Sequence, residues 1–336
     1  MSRAVVAAMV AYTLELREAG MKLNQNESPF DVPADFKRAL FDRVAERPWN
    51  RYPDFESTPL REALAREYGL APENILTGNG SNELLAAAIG TFVGPGTEVI
   101  VPRPTFTLYE KLVTVAGGTV IPLELDPRSG ILPVPKATPN SVIILCSPNN
   151  PTGGVLASLE PLLETGAIVL YDRAYGDFAF DSLPPLNDRL VIFSTFSKAW
   201  GLAGLRVGWL ATTATTAREI RKVKLPYSLN IVSETAAVLA LERRDVRDRF
   251  VTLVASERER MAAMMRQIES IEVFPSQANF IAFRTRASRP IFEALCARGI
   301  LIRDISSYPG LTNCLRVSVG SPAENDAFLA ALEEIA

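Results

Sequence analysis

The sequence predicts an α/β protein built on a mostly parallel sheet, and three patterns predict it. From about Asp31 onward, helical periodicities alternate with short apolar runs, the signature of a sheet covered by helices. Four runs, Glu98 to Val101, Val142 to Cys146, Ala167 to Tyr171 and Leu190 to Ser194, are too short and too β-branched for helices and read as buried central strands. After about Ser233 the pattern changes to a long helical stretch through Met265. Short strands follow at Phe280 to Phe283, Gly299 to Arg303 and Cys314 to Val319, a second, smaller α+β layer. A chain of 336 residues suits one large and one smaller domain.

Taken in order, Ala4 to Ala11 form a short apolar stretch after Arg3, but Glu15, Arg17 and Glu18 follow without a cleavage site, so no export signal is read here. Ser57-Thr58-Pro59 sets up a helix start, with a capping hydroxyl, proline in the first turn and Gly69 at the far end. Asn74 to Thr77 is strand-like, and GNGSNE (78–83) then opens the helical run LLAAAIGTF. Composition narrows the function classes. Hydrophobic residues make up 48%, charged residues 22%, and the net charge is −3 with both signs interspersed. That is the balance of a folded protein with no footprint for nucleic acid or a membrane surface, so small molecules are the expected partners. No apolar run approaches the ~18 residues of a membrane helix. Cys146, Cys296 and Cys314 have neither disulfide-framework nor zinc spacing, which fits a reducing cytoplasm. There is no histidine, so acid–base chemistry must fall to Lys, Tyr, Asp, Glu or Cys, and no metal site is expected.

Four segments carry candidate chemistry. In TFSKAWGLAGLRVGW (195–209), Lys198 follows a buried strand and the hydroxyls of Thr195 and Ser197, with Arg206 beyond. Burial and a nearby guanidinium both disfavour the ammonium form, and an amine of lowered pKa suits Schiff-base chemistry. The hydroxyls and Arg206 suit a phosphate dianion. Taken alone, the alternative is a loop lysine snorkelling out of the core. GNGSNE fails as a dinucleotide fingerprint because Glu83 stands where the third glycine belongs, yet its glycines and following helix suit a phosphate cradle. A plain strand-to-helix turn is the alternative. In SPNNPTGG (147–154), Asn150 precedes a proline and projects its amide from a polar turn. Asp172 ends a strand, with Tyr175 just after it, on the rim where α/β sheets bind ligands; a helix cap is the bland reading of such an aspartate.

The ordered set GNGSNE, PTFTLY, SPNNPTG, YDRAY and SKAWGLAGLRVG resembles the fold-type-I pyridoxal-5'-phosphate (PLP) enzymes, and within them the histidinol-phosphate aminotransferase branch. The similarity runs from LNQNESPF near Leu23 to CLRVSVG ending at Gly320. It implies a large PLP-binding domain over residues 29–235 with a seven-stranded type of sheet. Residues 1–28 and 236–336 would form an N-terminal arm and a small substrate-clamping domain. By the same resemblance Lys198 carries the cofactor as a Schiff base, Asp172 pairs with the pyridinium nitrogen, and Tyr175 and Asn150 hydrogen-bond the phenolic oxygen. Ser81, Asn82, Thr195, Ser197 and Arg206 would hold the phosphate, and Phe106 would stack on the ring. Tyr52, in RYPDF, would reach the phosphate of a neighbouring subunit in a homodimer.

The implied reaction converts histidinol phosphate and 2-oxoglutarate into imidazole-acetol phosphate and glutamate, a step of histidine biosynthesis. Aromatic amino-acid transamination and threonine-phosphate decarboxylation are the alternatives. Arg303 and Arg316 end the runs ILIR and CLR. One arginine suffices for an α-carboxylate, whereas a phosphate ester with close to two charges matches two. A surface ion pair with Asp304 or a glutamate is the other reading of Arg303. Tyr12 and Asn24 would add neutral hydrogen bonds.

Overall fold

The computed structural model describes residues 2–11, 17–128, 132–155, 158–180 and 182–336. Strand β1 (Met21–Lys22) precedes the seven strands of the large sheet: β2 (Ile75–Asn79), β3 (Glu98–Arg103), β4 (Thr119–Glu124), β5 (Val142–Cys146), β6 (Ile168–Asp172), β7 (Leu190–Thr195) and β8 (Val207–Ala211). Their spatial order is β2-β8-β7-β6-β5-β3-β4. All neighbouring pairs from β7 to β4 are parallel, and β8 alone is reversed, antiparallel to both β7 and β2. The expected mostly parallel sheet is therefore present, with one strand turned round. Strands β5, β7 and β8 are buried along their whole length, as sheets covered on both faces require.

The smaller sheet is antiparallel, ordered β12-β13-β10-β9, from β9 (Glu272–Val273), β10 (Phe280–Arg284), β12 (Arg303–Asp304) and β13 (Cys314–Ser318). The run read as one strand from Gly299 to Arg303 divides its pairing. Ile300 and Leu301 form β11, parallel to β1, and only Arg303 and Asp304 join the four-stranded sheet. The single helix expected from Ser233 to Met265 is two, Ile231–Glu242 and Arg244–Met265, broken at Arg243. The break falls where Glu242 and Arg243 pair with Arg43 and Asp35 of the helix Ala34–Ala45. Ser57 does precede the helix Thr58–Tyr68, but in a left-handed conformation and without a capping hydrogen bond from its hydroxyl.

The helix Ser81–Phe92 packs Leu84, Leu85 and Ala88 on the face of the sheet that Leu76, Val101 and Leu210 present. Its amino end is brought against β8 at Gly208. A Cβ there would lie 2.2 Å from the Ser81 backbone nitrogen and 2.4 Å from the Gly80 carbonyl carbon. Backbone on both sides leaves nothing flexible to yield, so only glycine permits this approach. Gly208→Ala is expected to destabilise the protein by about 1–3 kcal/mol, read from the urea midpoint; an unchanged midpoint would show that the contact relaxes freely.

Candidate active site

Because β5, β6 and β7 are parallel and in register, their carboxyl ends lie side by side. Cys146 is the neighbour of Asp172, and Asp172 the neighbour of Phe193. The loops that leave these ends carry Asn150, Tyr175 and Lys198. Reversed β8 begins at this same edge, with Gly208 beside Thr195, so Arg206 just before it reaches the loop after β7. β2 ends here too, Gly78 facing Gly208, and hands the chain to the helix Ser81–Phe92. The residues singled out in the sequence, Tyr12 and Tyr52 apart, all border one cavity of about 400 Å³ at this edge. Tyr12 lies outside the described residues. Tyr52 is 82% exposed and stacks on Tyr227 with centroids 4.6 Å apart, away from the cavity of its own chain.

One end of the cavity is an anion cradle. Thr195 donates to Ser197 through their hydroxyls (2.9 Å), the Ser197 amide returns a bond to Thr195 Oγ1 (3.0 Å), and Arg206 Nη1 donates to Ser197 Oγ (3.1 Å). No side chain caps the helix Ser81–Phe92, so its first N–H groups remain for an anion. Gly80, at φ 80°, lets the guanidinium in: a Cβ there would lie 2.6 Å from Arg206 Nη2.

At the centre, Asp172 accepts from the Tyr109 hydroxyl at Oδ2 (2.7 Å) and from the Ala174 amide at Oδ1 (3.0 Å). Burial pushes this carboxyl up, while the Tyr109 bond, the Ala174 amide and the Lys198 charge oppose it. Lys198 Nζ donates to the Gln25 carbonyl (3.0 Å) and lies 5.7 Å from the centre of the Tyr175 ring. Burial, seconded by the Arg316 guanidinium, pulls the lysine down to about 8. The helpful guanidinium is thus chiefly Arg316 from the small sheet, with Arg206 a lesser influence. Phe106 meets Tyr109 edge-on at 5.5 Å.

The far end belongs to the small sheet. Arg316 is buried, donates from Nη1 to Asn150 Oδ1 (2.5 Å) and from Nη2 to the Asn24 carbonyl (2.9 Å). Arg303 is its direct cross-strand partner. Among the described residues Arg303 makes no ion pair, with Asp304 or any other carboxylate.

Among the cavity residues that sequence reasoning missed are Tyr109, Gln25, Asn26 and Tyr308. Tyr109 stood in the PTFTLY motif, one helical turn after Phe106, and a wholly buried tyrosine demands a partner for its hydroxyl. Gln25 and Asn26 stood in LNQNESPF, yet no local pattern announces contacts to residues 149 and 173 positions away.

The donor set fits PLP: an anion cradle at one end, a buried carboxylate in the middle, and a desolvated lysine beside it. The sequence matches the family model for class I and II aminotransferases over residues 18–332. It is 37% identical to histidinol-phosphate aminotransferase of Chlorobium luteolum, over 95% of this chain and 93% of that one. With histidinol-phosphate aminotransferase of Aquifex aeolicus the identity is 37%, over 98% and 96% of the two chains. The crystal structure of histidinol-phosphate aminotransferase from Sinorhizobium meliloti in complex with pyridoxal-5'-phosphate superposes with a TM-score of 0.84 at 26% identity, covering 99% of this chain and 96% of that one. The chain therefore belongs to the class I and II aminotransferases.

Proposed function

We propose that the protein is a PLP-dependent histidinol-phosphate aminotransferase, with 2-oxoglutarate as the amino acceptor. The observation that carries the substrate is the pairing of Arg303 with Arg316. Directly opposed residues of an antiparallel pair project from the same face with Cβ atoms about 5 Å apart, and like charges there are destabilising. Both border the cavity, where a phosphate dianion, or the distal carboxylate of glutamate with its neighbour, would relieve the repulsion. A neutral aromatic side chain would not. The relatives' names favour the same substrate over threonine phosphate.

When bound, PLP supplies an aldehyde for the substrate amine and an electron-poor ring that stabilises charge from the broken Cα–H bond. Ser81, Asn82, Thr195, Ser197 and Arg206 would hold its phosphate. Phe106 would stack on its ring, a role needing no hydroxyl. Asp172, held by the Tyr109 hydroxyl and the Ala174 amide, would face the ring nitrogen, and Asn150 and Tyr175 would face the phenolic oxygen. Lys198 would hold the cofactor and, as a neutral amine, would take the proton from the substrate α-carbon and return it. Asn24 borders the substrate end of the cavity, and Tyr12 belongs to the same proposed arm.

We assign residues 29–235 to the cofactor domain, and residues 1–28 with 236–336 to the arm and the clamping domain. A homodimer is supported by an exposed aromatic patch of Tyr52, Phe55 and Tyr227, where Tyr52 would reach the partner's phosphate site. The free thiols of Cys146, Cys296 and Cys314 suit the cytoplasm. No helix among the described residues is long and apolar enough to cross a membrane.

Three outcomes are expected. In cofactor-free protein, reductive methylation of Lys198, followed by peptide mass spectrometry, should rise through a midpoint near pH 8, because the amine loses its proton there. Exposed lysines should titrate about two units higher, and a Lys198 midpoint among theirs would refute a lowered pKa. In an amine-donor panel scored for glutamate, Arg303→Ala should harm histidinol phosphate more than an aromatic amino acid, and Arg316→Ala should harm both histidinol phosphate and glutamate. Each loss should be roughly 10- to 150-fold in kcat/KM, and equal turnover of histidinol and histidinol phosphate would defeat phosphate recognition. Finally, mixing inactive Tyr52→Phe and Lys198→Ala subunits should restore one complete site per heterodimer; no recovery would argue against a shared site.

A further inference from the structure

Asn26 joins the small sheet to Tyr175, and none of the proposed roles uses it. It is buried, 1% exposed, and adopts a left-handed conformation at φ 54°. That region costs asparagine and aspartate less than other side chains. Its backbone amide donates to Ser318 Oγ at the end of β13 (2.8 Å). Its side chain bridges Ser318 Oγ, 3.2 Å from Oδ1, and the Tyr175 hydroxyl, 3.0 Å from Nδ2.

The direction of these bonds follows from the hydroxyl inventory. Ser318 Oγ already accepts the Asn26 amide, so its own proton needs an acceptor, and Asn26 Oδ1 is the acceptor present among the described residues. That turns Nδ2, which can only donate, toward Tyr175. The phenol oxygen therefore accepts from Asn26 and has its single proton left to give. The ring is fixed edge-on against Phe280 (5.1 Å), which leaves the hydroxyl at the cavity.

We propose that Asn26 is a positioning residue that sets Tyr175 as a hydrogen-bond donor toward the phenolic oxygen of the cofactor. The proposal rests on the reading of the cavity as a PLP site. The phenol stays protonated because burial pushes it up, far above neutrality; Arg316 and the Asn26 bond lower it, and Cys146 and Asp172 raise it. Lys198 also lies near the ring, 5.7 Å from its centre.

The test is the pH midpoint of the visible absorbance of the PLP-loaded protein, measured for the native chain and for Tyr175→Phe, Asn26→Asp and Ser318→Ala. A donor to the phenolic oxygen favours the form of the chromophore that has lost its proton, so removing the donor moves the midpoint up. Asn26→Asp keeps the left-handed backbone but offers an acceptor, which draws the Tyr175 proton away from the cavity. Both Tyr175→Phe and Asn26→Asp should raise the midpoint by about one pH unit. Ser318→Ala should raise it by less, since the amide remains but is free to turn. An unmoved midpoint in Asn26→Asp beside a raised one in Tyr175→Phe overturns the positioning role. If Asn26→Asp does not fold, an unmoved midpoint in Ser318→Ala overturns it instead. A chain that forms no visible absorbance with PLP, native or variant, defeats the reading of the cavity itself, a different failure.

Discussion

The reversal of β8 is the constraint on which the site depends. In a wholly parallel sheet each strand would end at the carboxyl edge and the next begin at the opposite one. Here β8 starts where β7 stops, so the short connection between them holds both Lys198 and Arg206 at one edge. The same reversal lays β8 against β2 and brings the uncapped helix Ser81–Phe92 beside Arg206. Gly80 and Gly208 pay for that proximity by giving up side chains that the space would not admit.

Charge burial explains the arrangement within the cavity. A desolvated carboxylate or ammonium is costly without partners. Asp172 has two donors, Lys198 has the Gln25 carbonyl, and Arg316 has Asn150 and the Asn24 carbonyl. These partners hold the charged groups in place while leaving Lys198 readily deprotonated. In a chain without histidine, a lysine lowered to about 8 is the group best matched to moving a proton near neutral pH.

The segment from Met21 to Glu27 ties the two sheets to this chemistry. It pairs with β11 through β1, donates and accepts at β13 through Asn26 and Leu23, and presents Gln25 and Asn26 to Lys198 and Tyr175. Arg303 and Arg316 enter the cavity from the same small sheet. The substrate end is thereby built on elements far in sequence from the strands that carry Asp172 and Lys198.

Much of this was legible in the chain. Short β-branched runs betray strands buried on both faces, because only a covered sheet tolerates them, and Val142–Cys146 matches its reading residue for residue. Motifs that sit at strand ends name their own edge of the sheet, which is why Asp172, Lys198 and Arg206 are legible as candidates in the sequence alone. Local pattern failed where one segment serves two partners. The run from Gly299 to Arg303 has a single strand's composition, and only the packing of β1 beside it divides its hydrogen bonds between two sheets. The break at Arg243 likewise follows ion pairs to a helix some 200 residues earlier. The sequence by itself determined the fold class and the residue types the chemistry needs, since periodicity and turn chemistry are local. Tertiary structure alone decided that Tyr109 holds Asp172, that Arg316 rather than Arg206 leads the guanidinium influence on Lys198, and that Asn26 meets Tyr175. Those are contacts between side chains tens to hundreds of residues apart, and their direction is set by which hydrogen-bonding groups remain unpaired once the chain has packed.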